Sequence, residues 1–319
     1  MISPMRRLSA LSVLAFVCGP LLCFAQTAKP AAGAGASATA DRGITLATTG
    51  RCAEAVPLLR KSMRNVGDPD LKKKAGLAGL RCAMTRNQPY DAVEFLQVLS
   101  RDFPRDPEVL YQATHAYSDL SIRASQDLVH EAPFSYQVHE LSAEALEVQG
   151  KWDDAAAEYR KILEINSSLP GIHYRLGRVL LSKPNPAPEL TQEAKQNFEK
   201  ELKIDPQNAG AEYVLGELAR QGDQFADAID HFTRATKLDA GFAEAYLGLG
   251  SSLSSEKRFA EAVPALETAV KLQPENPVAH YDLAIALTRA GRKEDAEREF
   301  AIHRKMQEAN PPAAAPQNP

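Results

Sequence analysis

Between Ala243 and Asn276 the apolar positions follow a helical period twice, with a polar break between the two runs. Tyr246, Leu249 and Leu253 form one stripe, and Ala262, Leu266 and Ala269 form the next. The pattern predicts two helices packed as a hairpin. Gly250, Ala262 and Ala269 are small enough to let those helices approach closely, and Pro274 stops the second before another begins. The same pattern stands one unit earlier as Leu215-Gly216, Ala228, Phe232 and Ala235, and one unit later as Leu283-Ala284, Ala296 and Phe300. Ala228, Ala262 and Ala296 are evenly spaced. Their interval lies inside the range of roughly 20–50 residues that signals stacked supersecondary units.

The register is firm from Tyr136 onward. One unit carries Gly150, Trp152, Ala155 and Tyr159. The next carries Leu176-Gly177, Ala194, Phe198 and Pro206, and its step from Gly177 to Ala194 is longer than the steps from Gly216 to Ala228 and from Gly250 to Ala262. The added residues fall in Lys183-Pro184-Asn185-Pro186-Ala187-Pro188, which predicts a longer turn. Such a turn is either a neutral insertion or an extra contact loop for a partner. Asp41 to Pro107 reads as two degenerate units, the second with Gly79-Leu80 where the others have Leu-Gly. A third, shorter unit is expected from about Pro107 to Pro133. Leu110, Ala113, Tyr117 and Leu120 fit its first helix, and Ala124 and Leu128 a cramped partner. The last helix should run from Glu294 to about Met306, with Glu297, Arg298, Lys305 and Glu308 giving it a polar outer face. Residues 310–319 have no apolar stripe and are expected to be disordered.

The unit resembles the tetratricopeptide repeat (TPR). Tyr246, Leu249, Gly250, Leu253, Ala262, Leu266, Ala269 and Pro274 fall where that family places its large, small and turn-forming residues. The resemblance holds in register from about Tyr136 to Asn310. It implies an all-α fold, a right-handed superhelical solenoid of stacked antiparallel helix pairs with about 7–8 repeats. Residues 41–135 would be degenerate helical pairs and residues 136–309 the regular array.

In such a solenoid the first helix of each unit lines a concave groove. Counting from the Tyr246 position, the groove should present Tyr174, Arg178, Tyr213, Glu217, Arg220, Leu247, Tyr281 and Arg289. Tyrosine and arginine combine rigid area with directional hydrogen bonding and often dominate binding energy. Some family members clamp a carboxylate terminus with Lys and Asn at fixed groove positions. This chain has Glu, Tyr and Leu there, which argues against the same ligand.

Two terminal features bear on location. Arg6 and Arg7 precede an apolar run, Leu8 to Phe24, and Cys23-Phe24-Ala25 offers small residues before a cut. Residues 1–25 read as a secretory signal peptide cleaved after Ala25. An uncleaved anchor is the alternative, although Gly19 and Pro20 interrupt the run. A lipoprotein reading is weaker, because Leu22 precedes Cys23 where a small residue is needed. Residues 26–40 are small and featureless and read as a flexible linker. The mature chain is then expected in the periplasm or outside the cell, without membrane insertion. Loss of Arg6 and Arg7 takes the net charge from −4 to −6. A mildly acidic chain without a basic stripe is a poor partner for nucleic acid.

Cys52 and Cys82 remain after that cut, and an exported chain meets oxidising conditions. Stacked hairpins place the start of one second helix near the end of the following first helix, so the two cysteines are expected to form a disulfide. It closes a loop of 30 residues, for which chain entropy gives about 3–4 kcal/mol.

No zinc-protease, CxxC, phosphate-loop or nucleophile-elbow motif is present in the sequence. His139, His173 and His280 share the Tyr246 position, which is that of an inter-helix packing residue and not of converging metal ligands. His115, His130, His231 and His303 look scattered. The reading is a non-catalytic, exported interaction scaffold without cofactor or metal, binding a peptide or partner helix. The alternatives are an accessory platform for an envelope enzyme or carbohydrate-handling complex, or a purely structural spacer.

Overall fold

The computed structural model describes residues 32–309, in which every regular element is an α-helix. The expected signal peptide and the 310–319 tail lie outside the described residues. The chain divides within one helix into two compact units, residues 1–123 and 124–319.

The first unit holds α1 (Ala32–Thr48), α2 (Cys52–Met63), α3 (Pro69–Thr85), α4 (Pro89–Asp102) and the first part of α5 (Pro107–Glu131). The second holds the rest of α5 and five hairpins. These are α6 (Tyr136–Val148) with α7 (Trp152–Ile165), α8 (Ile172–Leu181) with α9 (Pro188–Ile204), α10 (Ala209–Gln221) with α11 (Phe225–Leu238), α12 (Ala243–Ser255) with α13 (Phe259–Leu272), and α14 (Pro277–Arg289) with α15 (Lys293–Ala309).

One interlock recurs in hairpin after hairpin. A glycine on the first helix faces a large side chain on the second, at the same interval each time: Gly43 with Leu59, Gly79 with Phe95, Gly216 with Phe232, Gly250 with Leu266. Gly177 faces Phe198, the same pair spread by the insertion. A Cβ added at these glycines would lie 2.4–2.8 Å from the facing side chain. Phe232 is also flanked by Gly248 of the next hairpin, so its ring sits between two glycines and is fully buried. The exchange of Gly79 and Leu80 is therefore compensated, because the large residue in α4 moves to Phe95. Turns between paired helices need one left-handed residue, and Gly50, Asn87, Gly150, Asp223, Lys257 and Gly291 supply it.

Two sequence expectations are corrected. Nine residues of the expected linker, 32–40, belong to α1, and Ala40 is fully buried. The expected short hairpin at 107–133 is one continuous helix, α5. Ser118 to Leu128 contains no glycine or proline, so nothing breaks the helix where the turn was placed. The described residues therefore form seven hairpins and a single helix, the lower bound of the expected repeat count. The insertion forms the Ser182–Ala187 connection and also lengthens α9 at its start, where Pro188 occupies the first turn. Lys183 Nζ binds Asp153 at 2.8 Å and holds the connection against α7.

Cys52 and Cys82 are bonded, with Cα atoms 5.0 Å apart, tying the start of α2 to the end of α3. Across these less regular hairpins, Arg60 meets Asp91 at 2.6 Å and Arg64 meets Glu94 at 2.9 Å, joining α2 to α4.

Gly216→Ala should destabilise the second unit by about 1–3 kcal/mol, although alanine is the better helix former, because the buried Phe232 ring cannot give way. Gly35→Ala, with open space at its Cβ, should not be destabilising. Denaturant unfolding of the two variants checks the contrast.

Candidate functional site

The first helices of the second unit, α6, α8, α10, α12 and α14, lie side by side and make one continuous face. Polar bridges cross it. Arg175 on α8 reaches back to Glu144 on α6 at 2.5 Å and to Glu140 at 3.7 Å. Arg178 approaches Glu147 at 3.9 Å. Ser251 on α12 donates to Asp282 on α14 at 2.5 Å.

The expected groove residues occupy this face in pairs more than as one cluster. Arg178 lies over the Tyr174 ring, 5.9 Å from its centroid, and Tyr174 packs edge-on against Phe198. Tyr213, Glu217 and Arg220 come together on α10. Tyr213 is half-buried between Phe232 and Phe242, and Arg220 binds Glu217 at 2.7 Å. Burial first, then the Glu217 and Glu244 carboxylates, raise the Tyr213 hydroxyl above its ordinary value. Arg220 is held above its ordinary value chiefly by the Glu217 hydrogen bond, with Asp282 adding to the field. Leu247 is half-buried in the core beneath. Tyr281 stacks near Phe300 and His303 and remains 45% exposed. Arg289 is exposed in the last turn of α14. Among the described residues, the hydroxyls of Tyr174, Tyr213 and Tyr281 have no hydrogen-bond partner within the protein.

Three features escaped the reading of the sequence. Tyr159 on α7, fully buried, donates to Glu147 on α6 at 2.5 Å. Burial, then the Glu147 bond, pushes its hydroxyl up to about 12, while Glu144 and Tyr159 together raise Arg175. Glu201 is completely buried at a position that holds Ile162, Ala235 and Ala269 in neighbouring units. Its carboxylate accepts from the Gly171 N–H at 2.6 Å and the Tyr174 N–H at 3.1 Å. Gly171 brings no side chain to cap α8, so Glu201 supplies the cap from α9. A charged residue at a small-residue position was the available signal.

The third feature is a polar rung between the helices of four hairpins. His139 Nδ1 pairs with Glu158 at 2.7 Å, His173 Nδ1 with Asn197 at 2.7 Å, His231 Nδ1 with Glu212 at 2.6 Å, and His280 Nδ1 with Glu299 at 2.5 Å. His231 thus belongs to the same rung with the two helices' roles exchanged. The partners stand at one constant interval along the chain, widened only across the insertion, and that regularity carried the information. Among the described residues, no group of three or more His, Cys, Asp or Glu is placed to hold a metal ion.

Tetratricopeptide repeat profiles match residues 116–170, 189–241 and 213–263, and a second such profile matches 253–315, together more than half of the chain. The chain belongs to the tetratricopeptide repeat family. Its solved structural neighbours include YrrB, described as a TPR protein with an unusual peptide-binding site, at 24% identity over 59% of this chain and 94% of that one, TM-score 0.50. They also include the MamA RS-1 ArsTM double mutant, at 19% identity over 55% of this chain and 96% of that one, TM-score 0.50. At these identities the likeness concerns the fold. No curated protein matches the sequence. No described helix is long and apolar enough to cross a membrane.

Two outcomes follow. Glu201→Ala restores the family's usual residue yet should cost about 1–3 kcal/mol, since two N–H groups at the start of α8 lose their acceptor; thermal unfolding against wild type measures it. Tyr159 is held protonated in the fold, so its contribution is complete below about pH 10 and is lost as pH rises toward about 12. Tyr159→Phe should flatten the stability profile across that window in denaturant titrations.

Proposed function

We propose that this TPR protein is a non-catalytic, exported scaffold that binds an extended peptide or a partner helix along the first-helix face of its second unit. The observation that carries this reading is the row of Tyr174, Tyr213 and Tyr281. Each ring is packed in place, and each hydroxyl is left for a ligand. Rings anchored in this way present contact area at little further entropic cost, so a flexible ligand bears most of the ordering. YrrB illustrates that the fold can carry a peptide site. The disulfide supports a periplasmic or secreted location, where such bonds persist.

One observation favours a second reading, a structural spacer. Arg178 and Arg220 already meet Glu147 and Glu217, so part of the groove's charge is satisfied without a ligand.

The variant Tyr213→Ala/Arg220→Glu separates the readings. In crosslinking and affinity capture from the native envelope, a receptor should lose a specific protein that the wild type retains, by tenfold or more. Identical capture by both, with both chains folded, would leave the spacer reading standing.

A further inference from the structure

The first unit is electropositive in an acidic chain. Residues 32–123 carry more lysine and arginine than aspartate and glutamate, whereas residues 124–309 carry a large excess of acids. Several arginines of the first unit are already matched. Arg51, Arg60, Arg64 and Arg101 meet Glu54, Asp91, Glu94 and Asp102. Arg81 and Arg86 are not. Among the described residues, neither guanidinium has a hydrogen-bond or ion-pair partner within the protein.

Both arginines line one depression of about 640 Å³. The end of α1, the start of α2 and the end of α3 surround it, and the disulfide that ties α2 to α3 fixes the spacing of two of those walls. Its lining sorts into two kinds. Ala47, Ala53, Ala78 and the Cys52–Cys82 bridge are apolar, and the arginines are cationic. Thr48 and Thr85 also face it, but each donates its hydroxyl proton to a backbone carbonyl at 2.9 Å. The guanidinium N–H groups are therefore the side-chain donors left for a ligand. No carboxylate is part of the lining.

Small-molecule sites are mostly apolar cavities of roughly 300–1,000 Å³ in which a few polar groups orient the ligand. A guanidinium matches the planar fork of a carboxylate and forms charge-assisted hydrogen bonds to it. A bare oxyanion would meet the arginines and leave the alanines and the bridge uncovered. A neutral apolar molecule would cover those and give the guanidinium groups no acceptor. The lining thus favours a ligand that has both parts.

We propose that this depression binds a small organic acid, a carboxylate carried on an apolar body. Arg81 and Arg86 receive the carboxylate, and the body packs on Ala47, Ala53, Ala78 and the disulfide. The site lies wholly in the first unit and does not rest on the groove reading.

Amide NMR of the full, oxidised chain tests it with octanoate as the probe, beside inorganic phosphate and octanamide. Octanoate should shift the Ala53, Ala78 and Arg81 signals saturably, with phosphate and octanamide each weaker by about tenfold or more. Arg81→Gln/Arg86→Gln should weaken octanoate by about the same factor. Both side chains are exposed, so the variant should keep its fold, which thermal unfolding checks. Arg60→Gln/Arg64→Gln, which removes equal charge elsewhere in the unit, should leave octanoate binding unchanged. Shifts that never saturate, or phosphate binding as tightly as octanoate, overturn the proposal. So does an equal loss in the two arginine variants, which would assign the effect to the general field of the unit.

Discussion

The fold depends on how closely two helices can approach, and a missing Cβ decides that distance. Wherever a first helix places glycine at the interlock, the second helix sends a leucine or phenylalanine into the gap, and the facing side chain is buried at Leu59, Phe95, Phe198, Phe232 and Leu266. The contact is steric and short-ranged, so it fixes both separation and axial register. It also tolerates change elsewhere. The insertion after α8 alters a connection and the length of α9 while Gly177 and Phe198 still meet. The exchanged Gly79-Leu80 survives because Phe95 moved with it.

This packing sets what the groove can be. The first helices are held side by side by their second helices, and the polar bridges Arg175–Glu144 and Ser251–Asp282 pin neighbours across the face. Each tyrosine packs on an aromatic ring of its own hairpin, Tyr174 on Phe198, Tyr213 on Phe232 and Tyr281 on Phe300, and Tyr213 also meets Phe242 at the start of the next. Their ring positions are consequences of the fold, whereas their hydroxyls have no partner among the described residues. On the proposed reading, tyrosine at this position would be both ordinary repeat chemistry and a binding group.

The periodic part of this arrangement was open to reading because the interlock returns at one constant interval. Ala228, Ala262 and Ala296 announce it, and the helices from Tyr136 onward follow. The cysteine pair could be placed because hairpin stacking brings the two helix ends together. Features that depend on one local event were not visible in the same way. Residues 118–128 offered apolar spacing suited to two helices, but with no breaker the backbone simply continued as α5. Residues 32–40 look featureless, yet Ala40 finds a core to enter. Glu201 is intelligible only once Gly171 is seen to leave α8 uncapped.

The exchanged rung has a consequence for how such a chain finds its fold. Near-identical hairpins run the risk that a first helix collapses on the wrong second helix, since the apolar surfaces are almost interchangeable. In α6 and α14 the imidazole is on the first helix, whereas in the pair of α10 and α11 it is on the second. Pairing α6 or α14 with α11 would set histidine against histidine, and pairing α10 with α7 or α15 would bury two carboxylates together. Like groups facing each other in a half-buried seam carry a desolvation and repulsion cost that the native pairs avoid. The rung thus acts as an address written in polarity, distinguishing true neighbours from look-alikes in a molecule made of copies.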